Sequence, residues 1–174
     1  MRELADAARI RRFMRILGAE AAEDGALYLT GGATAVLVGW RASTVDVDIL
    51  PVPEQESVLR AVPRLKDELR VNVELASPRD FIPVPAGWED RSVFAAREGR
   101  LSFYHFDPYA QALAKIERGH AQDLEDVHAL VERGLVDPTR ALAYLDEVED
   151  ELYRYPAVDA ASFRERVEAA FLAR

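Results

Sequence analysis

Two carboxylates and two glycines in one short stretch have the types and spacing to do chemistry on phosphate. In Val45-Asp46-Val47-Asp48-Ile49 apolar residues alternate with acids. On a strand, Asp46 and Asp48 would therefore share one face, their Cα atoms roughly 7 Å apart. Hard divalent cations such as magnesium take oxygen ligands and usually bind through one or two carboxylates plus substrate phosphates. Upstream, Gly31-Gly32 follows an apolar run at 27–29 and precedes Ala33, Val36 and Leu37 at helical spacing. Glycines between a strand and a helix N-terminus let backbone N–H groups approach an anion closely, and the helix dipole favours negative charge there. One end of such a unit would hold phosphates and the other metal.

The elements that position these residues read as strand, glycine turn, helix, strand. The helix stops at Gly39, a polar link runs through Arg41, Ser43 and Thr44, and the next strand buries Val45, Val47 and Ile49. Before this unit, residues 2–23 predict a helix with Leu4, Ile10, Phe13, Met14, Leu17 and Ala21 on its apolar stripe. Its Arg9, Arg11, Arg12 and Arg15 read either as a contact for an anionic acceptor or as a solvated, salt-bridged face. After Pro51-Val52-Pro53, residues 54–69 predict a helix that Pro63 would kink or split. Val71-Asn72-Val73-Glu74-Leu75 repeats the alternation, with Val71, Val73 and Leu75 inward and Asn72 and Glu74 outward. Glu74 is the candidate third carboxylate, a pattern it shares with any solvent-facing Glu on a half-buried strand. Asp80, in a proline-dense loop over 76–87, is the fallback, with helix capping as its other reading. Residues 91–97 and 100–106 predict two strands joined at Glu98-Gly99, for a sheet of about five strands.

At Asp107-Pro108 the pattern becomes helical. Asp followed by Pro is a helix start, and it recurs at Asp137-Pro138. Helices are expected over 108–118, 122–133 and 138–153, and a last one after a Ser162/Glu165 capping box. The fold class expected is α/β (α+β), a mixed sheet flanked by helices. Residues 1–106 would form the α/β core with its N-terminal helix, and 107–174 a helical part packed on it.

Gly31-Gly32, thirteen intervening residues and Asp46-Val47-Asp48 resemble the signature of the polymerase-β-like nucleotidyltransferase superfamily, above all its minimal and abortive-infection-toxin bacterial members. The resemblance implies a magnesium-dependent (or manganese-dependent) transfer of a nucleoside monophosphate from a nucleoside triphosphate, such as ATP, to an acceptor hydroxyl. Asp46, Asp48 and Glu74 would be the catalytic, metal-binding acids. Gly31, Gly32, Arg41, Ser43 and Thr44 would bind the nucleotide. A second stretch, Lys115 with Arg118, Asp123 and Asp126, resembles the Lys…Arg-Asp-x-x-Asp region of the toxin type and implies that Lys115 contacts nucleotide phosphates; by its residues alone, Lys115 would pair with helix acids and Asp123 would cap a helix. The acceptor, whether a tRNA end, a protein or a small molecule, is not legible. The toxin-type likeness adds the expectation of a small protein partner in a toxin–antitoxin or phage-defence pair. The alternative is a catalytically inactive nucleotide-binding or partner-binding module of the same fold.

Composition narrows the classes. With no cysteine, thiolate zinc sites and thiol nucleophiles are excluded. The net charge of -9 argues against a broad electrostatic nucleic-acid surface. No run approaches the ~18 apolar residues of a membrane span, and the charged N-terminus lacks an apolar signal core, so a cytoplasmic protein is expected. His105, His120 and His128 do not share ligand spacing, and His105, among aromatics on a strand, is expected to be a packed residue.

Overall fold

The computed structural model describes residues 3–172, which form two compact units. The first unit comprises the described residues up to Ser77 together with Ser92–Phe106. In chain order it holds β1 (Ala5–Asp6), α1 (Ala7–Glu20), β2 (Gly25–Thr30), α2 (Gly32–Val38), β3 (Ser43–Thr44), β4 (Asp46–Val52), α3 (Glu56–Glu68) and β5 (Asn72–Leu75). In the second unit comes α4 (Trp88–Arg91), after which β6 (Val93–Glu98) and β7 (Leu101–His105) return to the first. Five strands make one mixed sheet in the order β5-β4-β2-β7-β6, and β1 pairs separately with β3. β2 runs antiparallel to β4 and parallel to β7, while β4 and β5 are parallel.

Strand alternation decides which sheet face is dry. Leu27, Leu29, Val47, Ile49, Val73, Leu101 and Phe103 join Ile10, Phe13, Leu17, Ala33, Val36 and Leu65 in one apolar cluster, so α1, α2 and α3 cover that face. The intervening residues, Asp46, Asp48, Asn72, Glu74, Tyr28, Thr30 and Tyr104, project from the other. There Tyr104 stacks on Tyr28 with ring centroids 5.5 Å apart.

Several local expectations shift for identifiable reasons. The first helix begins at Ala7, because the Asp6 carboxylate caps it by accepting from Arg9 N–H and because Ala5 and Asp6 pair with Thr44 and Ser43; residue 2 of the expected helix lies outside the described residues. Arg9 is bound to Glu3 at 2.6 Å, which makes it part of a salt-bridged face. Val45, expected inward, is 63% exposed because it precedes the first ladder position at Asp46; Leu75, also expected inward, is 57% exposed at the end of an edge strand. Pro63 does not split α3: it sits on the exposed side while Val58, Ala61, Val62 and Leu65 hold the helix to the core. At one point α1 and the β6–β7 turn meet through bare backbone: a Cβ on Gly18 would fall 2.1 Å from the Glu98 carbonyl oxygen, and one on Gly99 2.4 Å from that of Gly18.

The second unit comprises Pro78–Arg91 and the described residues from Asp107 onward. Its helices are α5 (Pro108–Arg118), α6 (Ala121–Glu132), α7 (Pro138–Glu149) and α8 (Ala160–Leu172). Asp107 and Asp137 cap α5 and α7, accepting from Tyr109 N–H and Arg140 N–H. For α8 the cap is Asp159, which accepts from Ser162 N–H, so the helix starts ahead of the expected Ser162 box. The segment Pro78–Arg91 is fastened here by Arg91. Its guanidinium binds the fully buried Asp107 at 2.8 and 3.0 Å, donates to the carbonyls of Pro85 and Ala86, and lies 4.4 Å from the Tyr144 ring centroid. Burial pushes the Asp107 carboxyl above its ordinary value, against the pull of Arg91. The Tyr155 hydroxyl donates to the Arg79 carbonyl at 2.6 Å, and Arg118 lies over Phe81. Among the described residues no helix is long and apolar enough to cross a membrane.

Candidate functional site

Sheet register assembles the acids. Because β4 lies between β2 and β5, Asp48 stands opposite Thr30 on one side and Glu74 on the other, and Asp46 stands opposite Asn72. Asp46 and Asp48 are half-buried and Glu74 is exposed. Asn72 is only 8% exposed, and its Nδ2 donates to Asp46 Oδ1 at 2.5 Å and to Glu74 Oε1 at 2.9 Å. One amide thus uses both hydrogens to join two carboxylates from neighbouring strands. Sequence alternation placed Asn72 on this face, but only register shows it between the two acids.

The glycine turn abuts the same face. Gly31, at φ 61° and ψ −125°, caps α2 in a conformation that L side chains rarely adopt. A Cβ at Gly31 would lie 3.3 Å from Asp48 Oδ2, so the turn and the second acid are neighbours. Gly32 has a different reason to be glycine: a Cβ there would fall 1.9 Å from Thr44 Oγ1 and 2.7 Å from Thr44 Cβ. Thr44 is buried, and its hydroxyl donates to the Asp46 carbonyl at 3.0 Å, fixing the entry into β4. Ser43 pairs with Asp6 in the small β1–β3 sheet, and Arg41 lies in the link between α2 and β3.

A buried polar bracket supports the turn from below. The Thr34 hydroxyl on α2 donates to the Leu29 carbonyl at 3.3 Å, and His105 Nδ1 lies 3.1 Å from Thr34 Oγ1. With the Thr34 proton on Leu29, the neutral imidazole donates through Nδ1. Burial lowers the His105 pKa to about 4, so the ring stays neutral near pH 7. The packed role expected for His105 is what it has.

Lys115 and the acids grouped with it lie in the second unit. Lys115 is buried on α5, its Nζ 2.6 Å from Asp126 Oδ2 and 3.4 Å from Asp123 Oδ1. Arg118 grips Asp123 with two bonds, of 2.6 and 3.0 Å. Burial raises the Asp123 carboxyl, but Arg118 and Lys115 together outweigh it and hold it below its ordinary value. Asp123 therefore serves as an ion-pair partner within α6, whose N-cap is His120. Asp80 ends a 3₁₀ turn, Pro78–Asp80, and is exposed in the same unit.

Among the described residues no three carboxylate or imidazole groups form a protein-only metal cage. The donor set still suits magnesium, which keeps waters and takes one or two carboxylates alongside phosphate oxygens. Asp46 and Asp48 supply hard oxygens on one face beside a glycine turn, with Glu74 in register.

The sequence model of one protein family matches residues 9–164, and that family is described as "Nucleotidyltransferase of unknown function (DUF6036)". No curated protein and no solved structure matches the chain.

Proposed function

The chain belongs to that nucleotidyltransferase family, and on this premise we propose that it moves a nucleoside monophosphate from a nucleoside triphosphate to an acceptor hydroxyl with the help of magnesium. The observation that carries the reading is the abutment of the Gly31 turn on the Asp48 carboxylate, with Glu74 opposite Asp48 and Asp46 two ladder positions away on the same face. A phosphate chain and a reacting hydroxyl require that combination: backbone donors at one end and oxygen ligands at the other.

In this proposal the N–H groups of the Gly31-Gly32 turn hold the triphosphate, helped by Arg41 and Ser43 from the following link. Asp46 and Asp48 present the oxygens that would hold magnesium. When bound, the ion neutralises charge on the phosphates and increases the acidity of a coordinated hydroxyl. In this reading Glu74, exposed at the sheet edge, accepts the proton of the acceptor hydroxyl as its oxygen bonds to the α-phosphorus. The bond from that phosphorus to the bridging oxygen breaks, and pyrophosphate leaves. Catalysis by such a site is mainly positioning and charge neutralisation. Thr44 acts through the strand entry it fixes, and no step is assigned to Lys115, whose ammonium is shared by two buried carboxylates.

Pyrophosphate release from each of the four ribonucleoside triphosphates with magnesium, in an extract that supplies acceptors, tests the reading. Release should fall by about two orders of magnitude or more in Asp46→Asn and in Asp48→Asn, with far-UV circular dichroism unchanged. Undiminished release from both variants sinks it. Nucleotide binding with no release from the wild type would favour the inactive module.

A further inference from the structure

Asn72 is the one non-acidic side chain among the four residues at the Asp46/Asn72 and Asp48/Glu74 registers. It is nearly inaccessible, on an edge strand whose last two residues, Glu74 and Leu75, are exposed. Its amide nitrogen lies between two carboxylates and donates to both. Three ionised acids on one sheet face repel one another. A neutral amide that donates twice offsets part of that repulsion and fixes where two of the acids point. An Asp at this position has no hydrogen to give when ionised, and an apolar residue would leave both acids unanchored.

We propose that Asn72 is a positioning residue: it holds the Asp46 and Glu74 carboxylates in the orientation in which this face receives a divalent cation. The inference rests on the reading of Asp46 and Asp48 as the cation-binding acids. It adds that Asp46 and Glu74 are oriented through Asn72. Partners that orient metal-binding groups in this way typically change affinity 10–100-fold when removed.

The test is a titration of the full-length protein with manganese alone, reading free hexaaqua manganese by electron paramagnetic resonance, beside thermal unfolding with and without the ion. Asn72→Ala should bind manganese at least ~10-fold more weakly than wild type. Asn72→Asp should unfold at lower temperature than wild type without metal, because a fourth charge replaces two hydrogen bonds, and should gain more than wild type from added manganese. A residue that only fills space would leave manganese affinity unmoved in Asn72→Ala, and that result overturns the proposal. So does a wild type whose manganese binding is indifferent to Asp48→Asn. If the Ala variant fails to fold, Asn72→Ser takes its place, since one hydroxyl cannot donate to both acids, and the same ~10-fold weakening is expected. A wild type that binds manganese through Asn72 and Asp48 yet releases no pyrophosphate keeps the positioning role and removes the transferase reading, so the two failures are distinguishable.

Discussion

His105 shows how a residue without a catalytic part leaves a measurable trace. Its imidazole takes up a proton near pH 6.5 in the unfolded chain but only near pH 4 when buried against Thr34. Between those values the unfolded state binds more protons, so this contribution to stability is complete above pH 6.5 and is lost as pH falls towards 4. At about 1.4 kcal/mol per unit, the effect is of order 3 kcal/mol. Urea unfolding at pH 7.5 and pH 4.5 should show a smaller loss for His105→Gln than for wild type; equal losses would remove the imidazole as their source. The individual residues were unevenly legible. Asp46 and Asp48 announce themselves because alternation is local, whereas the double donation of Asn72 depends on pairing between strands 26 positions apart in sequence. Arg91 carries no local signal either, since its partner Asp107 reads as a helix cap and is one, while also being an ion-pair partner.

At the scale of elements, the glycine turn makes the sharpest claims. Gly31→Ala would put a side chain at positive φ beside Asp48, which costs roughly 1–3 kcal/mol, and it would displace a proposed metal-binding oxygen as well. Gly32→Ala collides with Thr44 at the side-chain root, where no rotamer change relieves the contact, and overpacking of that kind costs about 1–3 kcal/mol. Chemical denaturation of both variants checks the two figures. Magnesium-dependent nucleotide binding should suffer more in Gly31→Ala at matched stability, because only Gly31 faces a proposed ligand. The elements themselves were largely readable: Asp-Pro starts placed the beginnings of α5 and α7, and period-two alternation placed β4 and β5, although α7 ends at Glu149, short of the expected 153. The misreadings occurred where tertiary contacts outweighed local pattern. Pro63 is tolerated on a solvent-facing turn, Asp159 takes the capping role from Ser162, and Trp88–Arg91 forms a helical turn where a strand start was expected at residue 91.

For the whole molecule, the consequential fact is that the chain passes between its two units three times, at Ser77/Pro78, Arg91/Ser92 and Phe106/Asp107. Local patterning does not reveal such an excursion, because residues 78–91 carry no periodic apolar face. A chain ending at Phe106 would therefore lack Asp107 for Arg91, Tyr155 for Arg79 and Arg118 for Phe81. Limited proteolysis of that truncation should cut within 78–91 at least ~10-fold faster than in the full-length protein, because ordered backbone resists nicking; equal rates would mean that the fastening contacts contribute nothing. The central position of β2 has a separate consequence during translation. Its antiparallel neighbour β4 follows within the same stretch of chain, but its parallel neighbour β7 begins only at Leu101. A nascent chain that has not yet cleared the ribosomal exit tunnel to that point carries β2 as an open, aliphatic strand edge, and such an edge invites pairing with other chains. Synthesis that pauses before Leu101 leaves that edge uncovered for as long as the pause lasts.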